Sequence, residues 1–228
     1  MTIKIKHDIK KIVPSFLYKY YSKFITNYYK RNPDKWQIKN WEISGKPIPP
    51  PHYIKFKTIL NYGGNDCNFF IETGTYMGEM VSRMQRFFDN IITIELDEKL
   101  HASARDKFSG FHSITCLKGD SGKVLKEILA DNLKVNACAV FWLDGHYSGE
   151  TTARGILETP ILKELEAIQL HIDKFGYKHK IFIDDAHCFN GTSDYPTIEE
   201  MENFRHKFFP NYRSFIENNI IIWLPSEQ

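Results

Sequence analysis

Five short apolar runs in this chain each lead into an acidic residue, and that repeated pairing constrains the fold more than any other feature. Phe69-Phe-Ile71 runs into Glu72, and Asn90-Ile-Ile-Thr-Ile ends on Glu95. His112-Ser-Ile-Thr-Cys-Leu117 leads through Lys118-Gly119 to Asp120, and Ala137 to Leu143 leads to Asp144. Lys180-Ile-Phe-Ile183 leads to Asp184-Asp185. Runs of this length read as buried strands. Segments of helical spacing lie between them: Glu79–Phe88, Asp97–Phe108, Gly122–Leu129 and Thr159–Phe175. A further helix is expected at Ile54–Tyr62 and another at Thr197–Phe208. Strand–helix alternation on this scale requires right-handed crossovers and a parallel sheet. In such a sheet ligands bind beyond the carboxyl ends of the strands, where all of these acids are expected. Acids placed without purpose would fall at both ends.

The first unit carries the most detail. After Phe69–Ile71 comes Glu72-Thr-Gly-Thr-Tyr-Met-Gly78, with glycines at 74 and 78. Gly74 would let the backbone approach a ligand closely, and the following helix would offer N–H groups at its start. The spacing is not the dinucleotide fingerprint. An acid at the strand tip repels a pyrophosphate but suits an ammonium or a ribose hydroxyl. Glu95 lies 23 positions after Glu72 (95 − 72), the interval at which a second acid reaches ribose hydroxyls in α/β nucleotide folds. These features favour S-adenosylmethionine (SAM) over NAD. Glu-x-Gly-x-x-x-Gly resembles the first motif of class I SAM-dependent methyltransferases. Tyr212 to Leu224 reads as two strands joined at Asn218-Asn219, a tight hairpin. That ending is also a mark of the class. The resemblance implies a doubly wound, Rossmann-like α/β fold: a seven-stranded sheet of order 3-2-1-4-5-7-6, with helices on both faces and a C-terminal antiparallel hairpin. It implies a cofactor site built from Glu72, Thr73, Gly74, Thr75, Tyr76, Gly78, Glu95, Asp120, Ser121 and Asp144. Asp120 is the acid such enzymes aim at the adenine amino group; the plain alternative is that Asp120 or Ser121 caps a helix.

Asp144, Asp184 and Asp185 follow neighbouring strands, so their carboxylates can converge. Close carboxylates repel unless protonated or bridged by a cation, and hard oxygen ligands suit Mg²⁺. A capping role for Asp184 and Asp185 is the alternative. Leu143-Asp-Gly-His146 with Ile183-Asp-Asp185 resembles the metal-dependent macrocin-type sugar O-methyltransferases over roughly Phe69 to Trp223. That likeness implies Mg²⁺ held by Asp144, Asp184 and Asp185, with His146 as general base where the family has a carboxylate. A histidine is a competent base near neutral pH. His187 is a second candidate base, and Tyr147, Tyr195 and Arg154 are loop residues facing the same edge. The expected reaction is methyl transfer to a hydroxyl of a small, sugar-like acceptor. Its alternatives are a metal-independent methyltransferase using His146 and a non-catalytic binding protein on the same fold.

Composition enters mainly by exclusion. A net charge of +2 over 228 residues gives no signature of a nucleic-acid binder. Up to Lys35 there are nine Lys or Arg against two acids, interleaved with aromatics. Residues 1–52 are therefore read as a basic, aromatic-rich helical extension with a Pro-rich linker, and 53–228 as the methyltransferase domain. Ile9 to Leu17 has amphipathic spacing, suited to packing on the core or a second subunit, or to weak contact with an anionic membrane surface. Cys67, Cys116, Cys138 and Cys188 show no C-x-x-C pairing, so free thiols and a reducing cytoplasm are expected.

Overall fold

A computed structural model describes residues 32–64, 66–130, 134–145 and 159–226. The chain divides into two compact units, Met1–Lys57 and Thr58–Gln228. The described part of the first holds helix α1 (Pro33–Ile43) and the first half of α2 (His52–Gly63). Pro33 opens α1, where a missing N–H costs nothing. The helix had not been expected as a separate element. Between α1 and α2 lies the Pro-rich run, where the Trp41 indole donates to the Pro47 carbonyl at 2.7 Å. The expected amphipathic helix of Ile9 to Leu17 and its membrane contact lie outside the described residues.

The second unit contains the sheet. Its elements in order are β1 (Phe69–Thr73), α3 (Glu79–Met84), β2 (Asn90–Glu95), α4 (Glu98–Phe108), β3 (Ile114–Lys118), α5 (Ser121–Leu129), β4 (Ala139–Leu143) and α6 (Ile161–Phe175). They continue as β5 (Lys180–Ile183), a 3-10 turn at Ala186–Cys188, α7 (Ile198–Phe208), β6 (Tyr212–Glu217) and β7 (Ile220–Pro225). The strand order is 3-2-1-4-5-7-6, as expected. β1 to β5 are parallel, while β7 pairs antiparallel with β5 and β6. Asn218 and Asn219 both take positive φ at the β6–β7 turn. Asparagine tolerates that conformation, which is why the hairpin was legible.

Both faces of the sheet are covered. Phe69, Ile71, Ile92, Ile94, Phe141 and Leu143 pack with Leu125, Ile128, Leu165 and Ile168 from α5 and α6. Phe70 points the other way, its ring 5.4 Å from that of Phe88. Alternate residues of a strand face opposite sides, so β1, buried along its length, serves two cores.

The expectation of free thiols is corrected: Cys67 and Cys138 form a disulfide, with Cα atoms 4.6 Å apart. They immediately precede β1 and β4, which pair directly. Cys116 and Cys188 are not disulfide-bonded and are half-buried. No described helix is long and apolar enough to cross a membrane.

Candidate active site

The pairing Thr73↔Leu143 and Thr73↔Ile94, with Glu95↔Lys118 and Leu143↔Ile183, brings the ends of β1 to β5 to one edge. Glu72, Glu95, Asp120, Asp144 and Asp184 therefore belong to one rim.

Glu72 is buried, and the Thr93 hydroxyl donates to its Oε2 at 2.6 Å. Thr93 in turn is 2.6 Å from the Thr75 hydroxyl, so Thr75 donates to Thr93 and Thr93 to Glu72. Burial drives the Glu72 carboxyl well above the ordinary range, against the pull of the Thr93 bond, and the charges of Asp144 and Glu95 push the same way. Lys107 opposes this weakly. Its Nζ also donates to the Met77 and Gly78 carbonyls at 2.8 and 3.1 Å, fixing the turn between β1 and α3. Thr93 was missed in the sequence because, inside an apolar run, it reads as an ordinary β-branched strand residue.

Glu95 organises the same turn. Its Oε2 accepts from Tyr76 N at 2.8 Å and its Oε1 from Asp97 N at 2.8 Å. Tyr76 has φ +46°, an uncommon conformation for a residue with a side chain. Backbone held this way is a form of local strain, of the kind that clusters at functional sites.

Gly74 also lacks room for a side chain for a reason the sequence does not show. It has φ +79°, and a Cβ there would lie 2.4 Å from the Asp144 carbonyl oxygen. The close approach is between the β1 turn and the tip of β4. Gly78, at φ +65°, clears the Phe108 ring, which a Cβ would meet at 2.8 Å. Asp144 N hydrogen-bonds Thr73 O and Thr73 Oγ1, each at 3.2 Å. Asp120 is the N-cap of α5, its Oδ1 accepting from Gly122 N at 3.0 Å.

One carboxylate was not foreseen. Glu164, in the first turn of α6, is 1% exposed. Its Oε1 has no hydrogen-bond partner among the described residues. Burial pushes the carboxyl up to about 7, with the Ser121 and Thr73 hydroxyls pulling it down and the charges of Asp120 and Asp144 raising it.

Among the described residues no three His, Cys, Asp or Glu side chains are placed to hold one ion. Asp185 takes φ +51°, and its Oδ1 accepts from Asn219 Nδ2 at 3.1 Å. Asp184 is buried, with Oδ1 accepting from Asp185 N at 2.7 Å. Both acids thus serve the turn after β5. His187 N donates to Asn219 Oδ1 at 3.0 Å on that turn, and the Tyr195 ring packs edge-on against Phe189 at 5.3 Å. His146, Tyr147 and Arg154 lie outside the described residues.

Solved structures share this architecture. An O-methyltransferase from Bacillus cereus, in complex with S-adenosylhomocysteine (SAH), superimposes with a TM-score of 0.54 at 13% identity, over 85% of this chain and 90% of that one. The chain has the Rossmann-like methyltransferase fold. The SAH-bound methyltransferase of Podospora anserina gives a TM-score of 0.52 at 14% identity, covering 90% and 95% of the two chains. The O-methyltransferase TomG from Streptomyces achromogenes, involved in tomaymycin synthesis and bound to SAM, gives 0.53 at 10% identity, over 85% and 89%. Neither a family model nor a curated protein matches the sequence.

Proposed function

We propose that this chain is a SAM-dependent O-methyltransferase acting on a hydroxyl of a small polar acceptor, a sugar or glycan precursor. The observation that carries the reading is the rim itself: Glu72, Glu95, Asp120 and Asp144 at the ends of four adjacent strands of a methyltransferase fold. The neighbours named above, an O-methyltransferase with SAH and TomG with SAM among them, support the cofactor class.

The donor set suits SAM. Buried Glu72, pushed upward by burial and by its acidic neighbours, favours a ligand that brings positive charge, as an ammonium does. Glu95 keeps acceptor capacity for ribose hydroxyls beyond the two backbone N–H groups it already receives. In this reading Asp120, besides capping α5, receives the adenine amino group. SAM supplies a methyl group on an already activated sulfonium, so the protein's task is chiefly alignment and acceptance of the hydroxyl proton. That role falls to Asp144 and, in this reading, to His146 as base.

For the finer reading, with Mg²⁺ on Asp144, Asp184 and Asp185, no group of three ligands is placed around one ion among the described residues, and no step is assigned to a metal. A cytoplasmic location belongs to the same proposal, and the Cys67–Cys138 bond is the observation against it.

Calorimetric titration with SAH tests the reading. Micromolar binding is expected, weakened about tenfold or more in Glu95→Ala through loss of charge-assisted acceptors. Absence of SAH binding to the unaltered protein would overturn it. EDTA added to a methyl-transfer assay over a panel of sugar acceptors separates the two versions: retained turnover favours the metal-free one, and loss restored by Mg²⁺ favours the other.

A further inference from the structure

Glu164 is the buried acid that the reading above does not use. It projects from the first turn of α6 to a place reached by three other elements. A Cβ built on Gly145 would lie 3.1 Å from Glu164 Oε1, 3.1 Å from Ser121 Oγ and 3.1 Å from Thr73 Oγ1. Three oxygens, from α6, α5 and β1, thus surround the place beside Gly145 where a side chain would begin, on the residue that follows Asp144. Thr73 Oγ1 also accepts the Asp144 N–H at 3.2 Å. The backbone on the other side of Asp144 is pressed against Gly74, whose missing Cβ leaves room for the Asp144 carbonyl. The tip of β4 is therefore held from two sides, by a glycine of the β1 turn and by this set of oxygens.

An unpartnered buried oxygen is costly, and a native structure retains one only where something offsets it. Solvent is not the explanation, since the side chain is 1% exposed. Nor does an ion pair supply it: Asp120 and Asp144 are the charges acting on this carboxyl, and both are acidic. Lys163, the preceding residue, lays its side chain over Gly122, whose Cβ would meet Lys163 Cβ at 3.0 Å. Among the described residues, its neighbours are the Ser121 and Thr73 hydroxyls, which hydrogen-bond the carboxyl, and the Asp144–Gly145 backbone.

We propose that Glu164, with Ser121 and Thr73, forms a buried polar buttress that sets the tip of β4, making Glu164 a positioning residue for the Asp144 end of the site. The functional half of this inference rests on the methyltransferase reading; the structural half does not. A carboxyl held near its neutral form by burial is replaced well by an amide, so Glu164→Gln is the conservative variant and Glu164→Ala removes the buttress.

Two measurements on the full chain decide it. In hydrogen–deuterium exchange, the Asp144 amide is expected to exchange about tenfold faster in Glu164→Ala, while amides of β2 and β3 keep their rates and Glu164→Gln stays near the unaltered protein. In calorimetry, SAH affinity is expected to fall about tenfold in Glu164→Ala and to recover in Glu164→Gln. Equal acceleration across the whole sheet would reduce Glu164 to a general packing residue and overturn the inference, as would an unchanged Asp144 amide. If the unaltered protein binds no SAH, the methyltransferase reading fails, and the exchange pattern still decides the buttress. If SAH binds and both variants bind it equally, the reading stands and the positioning role falls.

Discussion

The two edges of this sheet treat their polar groups in opposite ways. At the edge where the parallel strands begin, polar side chains mostly close on one another, His171 Nε2 being the buried atom there with no partner among the described residues. Ala139 N donates to His179 Nδ1 at 3.0 Å, so the His179 proton sits on Nε2, 2.8 Å from His171 Nδ1. Lys180 Nζ donates to the Gly63 carbonyl at 2.7 Å and pairs with Asp66, and Cys67 is bonded to Cys138. At the edge where the strands end, acids gather, an acceptor on Glu164 has no partner among the described residues, and Tyr76 and Asp185 take positive φ. Closed polar contacts at one edge serve stability. Electrostatic and backbone cost of the kind kept at the other is typical of functional sites.

The contrast is broken most directly at Gly74. Gly74→Val places a Cβ 2.4 Å from backbone rather than from a yielding side chain, at a φ that β-branched residues avoid. A loss on the order of 4 kcal/mol is expected, together with SAH binding. Urea unfolding checks it; a change below about 0.5 kcal/mol would mean that the β1 turn and the β4 tip are not packed together.

The two edges also respond to pH with opposite sign. Burial lowers the His179 pKa from 6.5 to about 3, with His171 contributing in the same direction. Below pH 6.5 the unfolded chain takes up a proton that the folded chain refuses. Stability from this group is therefore full above 6.5 and lost as the pH falls toward 3, by about 1.4 kcal/mol per pH unit. His179→Gln keeps an acceptor for Ala139 N and removes the titration. It should flatten the acid limb by about 3 kcal/mol between pH 6.5 and 4. Glu164 works the other way. Its folded pKa is raised from 4.5 to about 7, so its contribution is full below 4.5 and lost as the pH rises through 7. Between pH 5 and 6.5 that amounts to about 2 kcal/mol, which Glu164→Gln should abolish. Unfolding free energies across pH 4 to 8 test both, and a shared sign for the two variants would erase the distinction between the edges.

Much of the fold was legible because its signals are local. Each apolar run with its terminal acid, and the Asn218-Asn219 turn, lies within a short window, and strand order followed from counting them. The rim acids were legible for the same reason, since a residue at a strand end declares its edge. What escaped depended on partners far apart in sequence. Glu164 sits in Lys163-Glu-Leu-Glu166, where either acid reads as the wet face of an amphipathic helix. Its neighbours Ser121, Thr73 and Gly145 come from separate elements. Cys67 and Cys138 are 71 residues apart and meet through the β1–β4 pairing. Asp184 and Asp185 looked like a ligand pair because adjacency in sequence suggests a shared direction. The positive φ at Asp185 turns the chain between them, and Asn219, from the hairpin, holds the second carboxylate.

The smallest expected effect is the sharpest check on the separation itself. Lys180→Met removes the donor to the Gly63 carbonyl and the pair with Asp66 while keeping much of the side chain's length. Asp66 is largely exposed, its side chain at 67%, so that pair contributes little; the lost bond to Gly63 dominates, and about 1 kcal/mol is expected. Lys180 opens β5 at the edge away from the acids, and Ile183 closes it beside Asp184. If the edges are independent, melting temperature drops by a few degrees and SAH affinity stays within about twofold. A larger loss of SAH binding from this position would mean that strain passes along β5 from one edge to the other, and the rim could no longer be treated as a site built only from strand ends.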